Sequence, residues 1–336
     1  MTILSDFSLL HHNTFRINAT ARYFVEYDTI DELIAFLKSD IGRTTRLYHI
    51  GGGSNILFTK NFDGAILHSH IKNIEYSNLN NDEVIAHVSA GVVMDDFCAD
   101  AATKGLWGIE NLSYIPGEAG ASAVQNIGAY GVEVCNSIVS VEVIDRTDFS
   151  QKTILAADCD YGYRHSRFKT EWANRYIITA VNYHLHRSPR PQLDYAGLSA
   201  LNAETNTLTP QRIRQFVTDI RRTKLPDPAE IGSAGSFFKN PLITEAQYQS
   251  LLATYPTMPH YPASNGMVKI PAAWLIEQCG MKGHILGGAQ VYELQPLVII
   301  NRSNATASDI TVLASHIQTL IATRFSINIY PEVIYL

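Results

Sequence analysis

Ser113-Tyr114-Ile115-Pro116-Gly117-Glu118-Ala119-Gly120-Ala121-Ser122-Ala123-Val124-Gln125-Asn126-Ile127-Gly128-Ala129-Tyr130-Gly131-Val132-Glu133-Val134 is the segment around which the chain is organised. Gly117, Gly120, Gly128 and Gly131 alternate with small residues, so few side chains shield this backbone. Glycine tolerates positive φ and close approach, and amides converging in a turn or at a helix start favour phosphate oxygens. The segment therefore reads either as a pyrophosphate cradle or as a tight Gly/Ala loop packed beneath a sheet.

A second glycine-rich turn lies upstream, where the strand-like Leu47–Ile50 runs into Gly51-Gly52-Gly53-Ser54-Asn55. It has neither the G-x-G-x-x-G spacing of a dinucleotide fold nor the Lys-Ser/Thr ending of a P-loop. A phosphate turn and a plain β-turn both fit it.

Composition narrows the rest. At 336 residues the chain exceeds one ordinary core, so two or three domains are expected. Hydrophobic residues make up 46% and charged residues 17%, an ordinary globular balance. The net charge of −6, without a run of Lys or Arg, argues against nucleic acid as a partner. An anionic ligand must then be met by local amides and single cations. No apolar run approaches a membrane span, and Met1–Phe7 has neither secretory nor transit character, so the expected location is the cytoplasm. Cys98, Cys135, Cys159 and Cys279 lie far apart and form no C-x-x-C pair, so neither a disulfide framework nor a zinc knuckle is suggested. Cys98 and Cys279 are expected in the core. The pairs His68/His70 and His184/His186 would each share a strand face. No matching third ligand is evident in the sequence, so no metal is expected and a partly exposed strand face is the simpler reading.

Residues 1–72 read as a small α+β unit, with a strand over Arg22–Tyr27 and a helix through Leu37 boxed by Thr29 and Glu32. A second unit begins near residue 73. Its strand Val84–Ser89 precedes a helix with Met94, Phe97, Cys98 and Ala101 on one face, ended by Gly105. Val139, Val141 and Val143 alternate as in a half-buried strand, and Ile177–Leu185 is a further strand. Between them, Tyr161–Lys169 is dense in aromatics and cations, either an exposed edge or a place where Arg164 meets an acidic substrate. Thr209-Pro210 opens a helix buried through Ile213, Phe216, Val217 and Ile220. Pro226 and Pro228 then mark a boundary before Gly232–Pro241 and three further helices over 244–255, 271–279 and 308–323. The chain closes on a strand over 327–336, in which Glu332 is either edge-exposed or functional. No G-x-S-x-G elbow marks Ser236 as a hydrolase nucleophile.

Three separated signatures coincide: G-G-G-S-N-I-L at Gly51–Leu57, I-P-G-x-x-G-A-x-x-x-Q-N-I-G-A-Y-G at Ile115–Gly131, and G-S-F-F-K-N-P at Gly235–Pro241. N-T-F at Asn13–Phe15, Y-R-x-S-x-F-K at Tyr163–Lys169, K-L-P-D-P at Lys224–Pro228, W-L-I-E-Q-C-G at Trp274–Gly280 and P-E-V at Pro331–Val333 accompany them. In this order they resemble the UDP-N-acetylenolpyruvoylglucosamine reductases over nearly the whole chain. The Y-A-G-L segment at Tyr195 and the insert at Tyr261 resemble the longer type, in which a tyrosine loop folds over substrate.

The resemblance implies an α+β fold: a two-part FAD-binding region of the PCMH, MurB-like type with a separate α+β substrate domain. Residues 1–72, rejoined by 327–336, and residues 73–224 would hold FAD, and residues 225–326 the substrate. It implies FAD contacts from Gly51, Gly52, Gly53, Ser54, Asn55, Ile115, Pro116, Gly117, Gly120, Ala121, Ser122, Gln125, Asn126, Gly128 and Gly131. Arg164, Ser236 and Glu332 would be catalytic, and Tyr130, Tyr195, Lys224, Asn240, Tyr261 and Gln295 would grip the sugar nucleotide. The implied reaction is NADPH-dependent reduction of the enolpyruvyl ether of UDP-N-acetylglucosamine, in peptidoglycan precursor synthesis, by a monomer. Arg164 would neutralise charge developing on the substrate carboxylate, Ser236 would deliver a proton, and Glu332 would orient Arg164 or act as a protonated acid. Glu118, placed where the family favours a small or hydroxyl residue, is expected to point away from the pyrophosphate. Two other readings compete: an FAD-dependent alcohol or sugar oxidase of the same flavin fold, which fits the glycine turns but not Arg164, Ser236 and Glu332, and a non-catalytic nucleotide-sugar binder.

Overall fold

The structure is a computed structural model describing residues 1–204 and 207–336. In place of consecutive stretches, contacts divide the chain into two units assembled from separated segments. The first comprises Met1–Phe7, Thr20–Gly53 and Phe62–Thr223; the second comprises Ser8–Ala19, Ser54–Asn61 and Lys224–Leu336.

Among the described residues, the first unit contains two larger sheets and a small two-stranded one. In one, Phe62–Ser69 lies between Thr20–Tyr27 and Leu47–Ile50 and runs parallel to both. This central strand is buried along most of its length, as expected for a parallel strand covered on both faces. Helix Ile30–Lys38 packs Leu33, Phe36 and Leu37 with Val25, Leu47 and Leu67. Thr29 caps it, while the Glu32 carboxylate takes the Asp28 N–H, one residue before the reciprocal partner expected from a capping box.

The other larger sheet is antiparallel, in the order Gln151–Leu155, Ile138–Asp145, Tyr176–His186, Glu83–Ser89, Ile74–Asn78. Val141 and Val143 point into its core as the alternation requires, but Val139 is 39% exposed. A register shift between Ile138 and Ser140 reverses the side on which Val139 emerges. Helix Met94–Thr103 buries Met94, Phe97, Cys98 and Ala101. It ends at Gly105 (φ +71°), where Gly105 N–H reaches Ala102 O and Leu106 N–H reaches Ala101 O.

In the second unit, Gly232–Ser236, Val298–Asn301, Ala289–Val291 and Ile285–Leu286 form one antiparallel sheet. Helix Ala307–Phe325, boxed by Thr306 and Asp309, buries Ile310, Leu313, Ile317 and Ile321 in a core shared with Phe15, Phe237 and Phe238. The expected strand over 327–336 is shorter: only Ile334–Tyr335 is strand, parallel to Ile56–Leu57. Pro331 brings no N–H to a ladder and makes an isolated bridge to Phe238. Cys279 lies beyond the last turn of helix Ala272–Gln278 and is half-buried, whereas Cys98 is fully buried. No described helix is long and apolar enough to cross a membrane.

Candidate active site

The glycine-rich segment folds as a loop, a short helix and a hairpin. Ala119–Gln125 is helical, and Gly128–Ala129 pairs with Val132–Glu133. The start of the helix is strapped down: Ala119 N–H donates to Val92 O at 2.8 Å and Gly120 N–H to Ala90 O at 3.1 Å. A Cβ on Gly120 would stand 2.8 Å from that of Ala90. These observations give Gly120 a packing reason of its own, and its amide is already engaged. Ser122 is likewise tied in, its hydroxyl donating to Ala119 O and lying 3.0 Å from the Tyr183 hydroxyl.

The more accessible glycine backbone lies at Gly52, which is exposed, and Gly117, which is half-buried, whereas Gly53 is buried. Gly53 and Gly117 have positive φ, and Gly52 faces the Cα of Gly117. Side chains here would narrow the gap between the two turns, so the residues fit an extended diphosphate ligand. Ile115 and Ala121 are half-buried and Pro116 is exposed along the same turn and helix. Ser54 and Asn55, expected in the same cradle, belong to the second unit.

Glu118 is buried beside Gly51, where a Cβ on the glycine would lie 3.1 Å from its Oε2. Its charge is met by a histidine: His68 Nε2 lies 3.1 Å from Glu118 Oε1 and His68 Nδ1 lies 3.3 Å from Glu26 Oε1. Burial opposes the imidazolium, but Glu118 and Glu26 more than offset it and raise the His68 pKa. This pairing of Glu118 with His68 is one that the spacing of the chain does not reveal.

Downstream, the segment becomes a mount for Arg164. Asn126, left-handed (φ +46°) and fully buried, donates to Glu133 and to Gly162 O and accepts from Cys135 N–H. Arg164 is also left-handed (φ +54°); its Nη2 donates to Gly128 O at 2.6 Å and its Nη1 to Asn126 O at 3.4 Å. A Cβ on Gly128 would sit 2.8 Å from Arg164 Nη1, so this glycine makes room for the guanidinium. Lys169 Nζ donates to Gln125 Oε1 and Arg164 O, fixing the turn from the other side. Tyr161–Lys169 is therefore a braced turn rather than an exposed edge.

Tyr130 (φ +49°) meets Tyr195 edge-on at 5.3 Å, and Gly131 (φ +84°) leaves space against the Tyr195 Cβ. Asn111 donates to Tyr130 O and Gln192 O, holding the two tyrosine-bearing segments together. Arg221 Nε donates to Tyr114 O at 2.9 Å, and its charge acts on Tyr130. Burial raises the Tyr130 pKa and Arg221 partly counters it. Arg221 and Asn111 were not singled out in the sequence. An arginine in an amphipathic helix and an asparagine in a loop have no local signature for such a role.

In the second unit Ser236, Glu332 and Asn55 gather on adjoining backbone. Ser236 ends the strand Gly232–Ser236, beyond a register shift that follows Ser233 and contains Gly235 at φ +66°. A bulge of this kind re-aims a side chain, and Ser236 is exposed. Glu332 N–H donates to Phe237 O, and Asn55 Nδ2 donates to Glu332 O. Asn240 Oδ1 accepts the Ala272 N–H at the start of helix Ala272–Gln278, leaving its amide nitrogen as the donor available to a ligand. Tyr261 is exposed beside Lys269, Gln295 opens the turn closed by Val298 N–H, and Lys224 is exposed at the end of helix Pro210–Lys224. The structure thus groups Ser236, Glu332 and Asn55 in one unit, and Arg164, Tyr130 and Tyr195 in the other.

Residues 227–336 match the family model described as UDP-N-acetylenolpyruvoylglucosamine reductase, C-terminal domain, and residues 21–148 match that described as FAD binding domain. The UDP-N-acetylenolpyruvoylglucosamine reductase of Bacteroides fragilis strain YCH46 is 44% identical over 328 residues, 97% of this chain and 98% of that protein. The chain belongs to the UDP-N-acetylenolpyruvoylglucosamine reductase family. Another reductase of that name, from Porphyromonas gingivalis strain W83, is 42% identical over 337 residues, covering 100% of both chains. The crystal structure of the reductase from Thermus caldophilus shares the fold, with a TM-score of 0.68 over 99% of this chain at 20% identity. Within this reductase family fold, the glycine-rich segment of the present chain contributes both the open turn at Gly117 and the carbonyls that hold Arg164.

Proposed function

We infer that this chain is an FAD-dependent oxidoreductase that uses NADPH to reduce the enolpyruvyl ether of UDP-N-acetylglucosamine to UDP-N-acetylmuramate, in peptidoglycan precursor synthesis. The observation that carries this reading is full-length similarity at 44% identity to a reductase of that name. FAD, when bound, supplies the hydride that reduces the enolpyruvyl double bond. The residues proposed to hold it are Gly51–Asn55 with Ile115, Pro116, Gly117, Gly120, Ala121, Ser122, Gln125, Asn126, Gly128 and Gly131. In functional terms, residues 1–72 with 327–336 and residues 73–224 are assigned to cofactor and residues 225–326 to substrate.

The chemistry demands a fixed cation and a proton donor. When hydride adds at C3, electron density moves to C2 and the attached carboxylate. A guanidinium held by carbonyls presents its remaining N–H groups in a fixed fork, which suits Arg164 to bind and polarise that carboxylate. Ser236 Oγ–H is assigned to deliver the proton to C2, forming the new C–H bond; the enolate is basic enough to take a proton from a hydroxyl with donor support. Glu332 is assigned to orient Arg164 or act as a protonated acid. Tyr130, Tyr195, Lys224, Asn240, Tyr261 and Gln295 are assigned to the sugar nucleotide. We further propose that the enzyme is a cytoplasmic monomer.

The test is the visible spectrum of the purified protein without oxygen. Flavin absorbance should bleach with NADPH and return when the enolpyruvyl sugar nucleotide is added. Return with oxygen alone, and none with the enol ether, would identify an oxidase; colourless protein that stays colourless with FAD would identify a nucleotide-sugar binder.

A further inference from the structure

The strand pair Glu83–Ser89 and Tyr176–His186 carries a second constellation that the reduction does not use. In its antiparallel register His186 stands directly opposite Glu83, and His184 lies on the same face two residues earlier. The third ligand missing from the H-x-H pattern is therefore supplied across the ladder. One ligand atom from each of Glu83, His184 and His186 lies within 4.8 Å of the others. His184 Nε2 is 3.1 Å from Glu83 Oε1, yet it makes no hydrogen bond, and buried His186 Nδ1 makes none either. Two covered imidazole nitrogens without hydrogen bonds, one 3.1 Å from a Glu83 oxygen and the other 3.9 Å from an Asp82 oxygen, offer lone pairs that a metal ion would satisfy.

We propose that Glu83, His184 and His186 form a site for a borderline divalent transition ion, with Zn²⁺ as the reference case and a water completing the coordination. Two imidazoles and a carboxylate suit zinc rather than magnesium or calcium, which prefer all-oxygen shells. Closing the set onto a tetrahedral ion needs ligand separations of roughly 3.3 Å, within reach of side-chain rotation on a partly exposed sheet face. Outer contacts support the arrangement: Asn80 Nδ2 donates to Glu83 Oε2, fixing the carboxylate. Arg190 is the opposing charge, with Nη1 3.3 Å from His186 Nε2; it already donates to Asp82 as well and is exposed enough to turn wholly toward that carboxylate.

The other H-x-H cluster is a built-in control. Glu26, His68 and His70 are similarly close, but both nitrogens of His68 are hydrogen-bonded to carboxylates, so neither is left unsatisfied as His184 Nε2 and His186 Nδ1 are. The ion at Glu83 would bridge the end of strand Tyr176–His186, where His186 and Trp107 exchange backbone hydrogen bonds. Trp107 in turn packs against Leu198 and Leu201, so bound metal should stiffen the sheet end on which the segment after Tyr195 rests.

Tag-free, FAD-loaded protein stripped with chelator is titrated with Zn²⁺ against a chromogenic chelator. One equivalent should bind in the micromolar range or tighter, with a thermal midpoint raised by several degrees. His184→Asn, His186→Asn and Glu83→Gln should each weaken binding by about tenfold or more, His70→Asn should not, and all four should retain NADPH-driven flavin bleaching. Co²⁺ in the unsubstituted protein should give the visible bands of a four-coordinate site, a readout independent of any variant's folding. Absence of those bands, binding no tighter than millimolar, or binding lost in His70→Asn but kept in His186→Asn would overturn the assignment.

Discussion

At Ser236 the decisive feature is backbone geometry. The register shift that contains Gly235 leaves Ser236 exposed at the end of its strand, opposite Val298. Ser236→Ala should therefore leave flavin reduction by NADPH intact and slow reoxidation by the enolpyruvyl substrate by on the order of 10² to 10⁴, or about 3 to 5 kcal/mol of barrier. Stopped-flow measurement of the two half-reactions checks this, and equal loss in both would mean a defect in folding or flavin binding. Arg164 makes a complementary case. Its fork is held by two carbonyls, from Asn126 and Gly128, and its backbone is in the left-handed region. An ammonium at the same place has neither the planarity nor enough fixed donors to hold the carbonyls and a carboxylate together. Arg164→Lys should lower the rate of the second half-reaction by about 10²-fold or more, and near-normal turnover would remove Arg164 from the mechanism.

At the scale of elements, the strand Ile138–Asp145 is pinned at its end by a buried carboxylate. Asp145 accepts from Thr147 through both backbone and hydroxyl, from Lys152 Nζ at 2.7 Å and from Arg175 Nη2 at 3.1 Å. Burial alone would raise its pKa, but these donors hold it well below the usual carboxylate range. The carboxylate itself is covered while both cations are partly exposed, so solvent screens much of the charge attraction and the hydrogen bonds carry most of the effect. Asp145→Asn should cost about 1 to 3 kcal/mol near neutrality. Because the folded pKa is depressed, this stabilisation is complete above the unfolded carboxylate's value near 4 and disappears as pH falls through the folded value. Thermal melts from pH 7 to pH 2 should therefore show the gap between wild type and variant closing with acid; a constant gap would assign the role to shape alone. Helices were the elements most legible in the sequence, because the face Met94, Phe97, Cys98 and Ala101 repeats at the helical period and is buried as that period demands. The terminal strand was less so: Ile327 and Ile329 are buried as single core residues, although only Ile334–Tyr335 finds a ladder.

On the scale of the whole molecule, the chain is two units threaded from separated segments, and the residues assigned to cofactor lie in both. A ligand that binds the native state and not the unfolded chain stabilises by mass action, so FAD at about 100 times its Kd should add about 2.7 kcal/mol. Melting followed against free FAD concentration checks this, and a midpoint independent of FAD would contradict specific binding. The sequence by itself determined the family and the residue types at the site, since glycines, a lone arginine, a serine and a glutamate at ordered spacings are local requirements written in the chain. Only the tertiary structure decided how those residues are held. The Glu118–His68 pair joins positions 50 apart, and Arg221 reaches Tyr114 across 107 residues. Gly120 spends its amide on Ala90, and Glu83 completes the histidine pair at 184 and 186. Each depends on strand register and on which elements pack together, and both are set by long-range burial rather than by any neighbour in sequence. The glycine-rich segment shows both sides: its composition announced an open backbone, and packing divided it into a strapped helix, an open turn at Gly117 and the mount for Arg164.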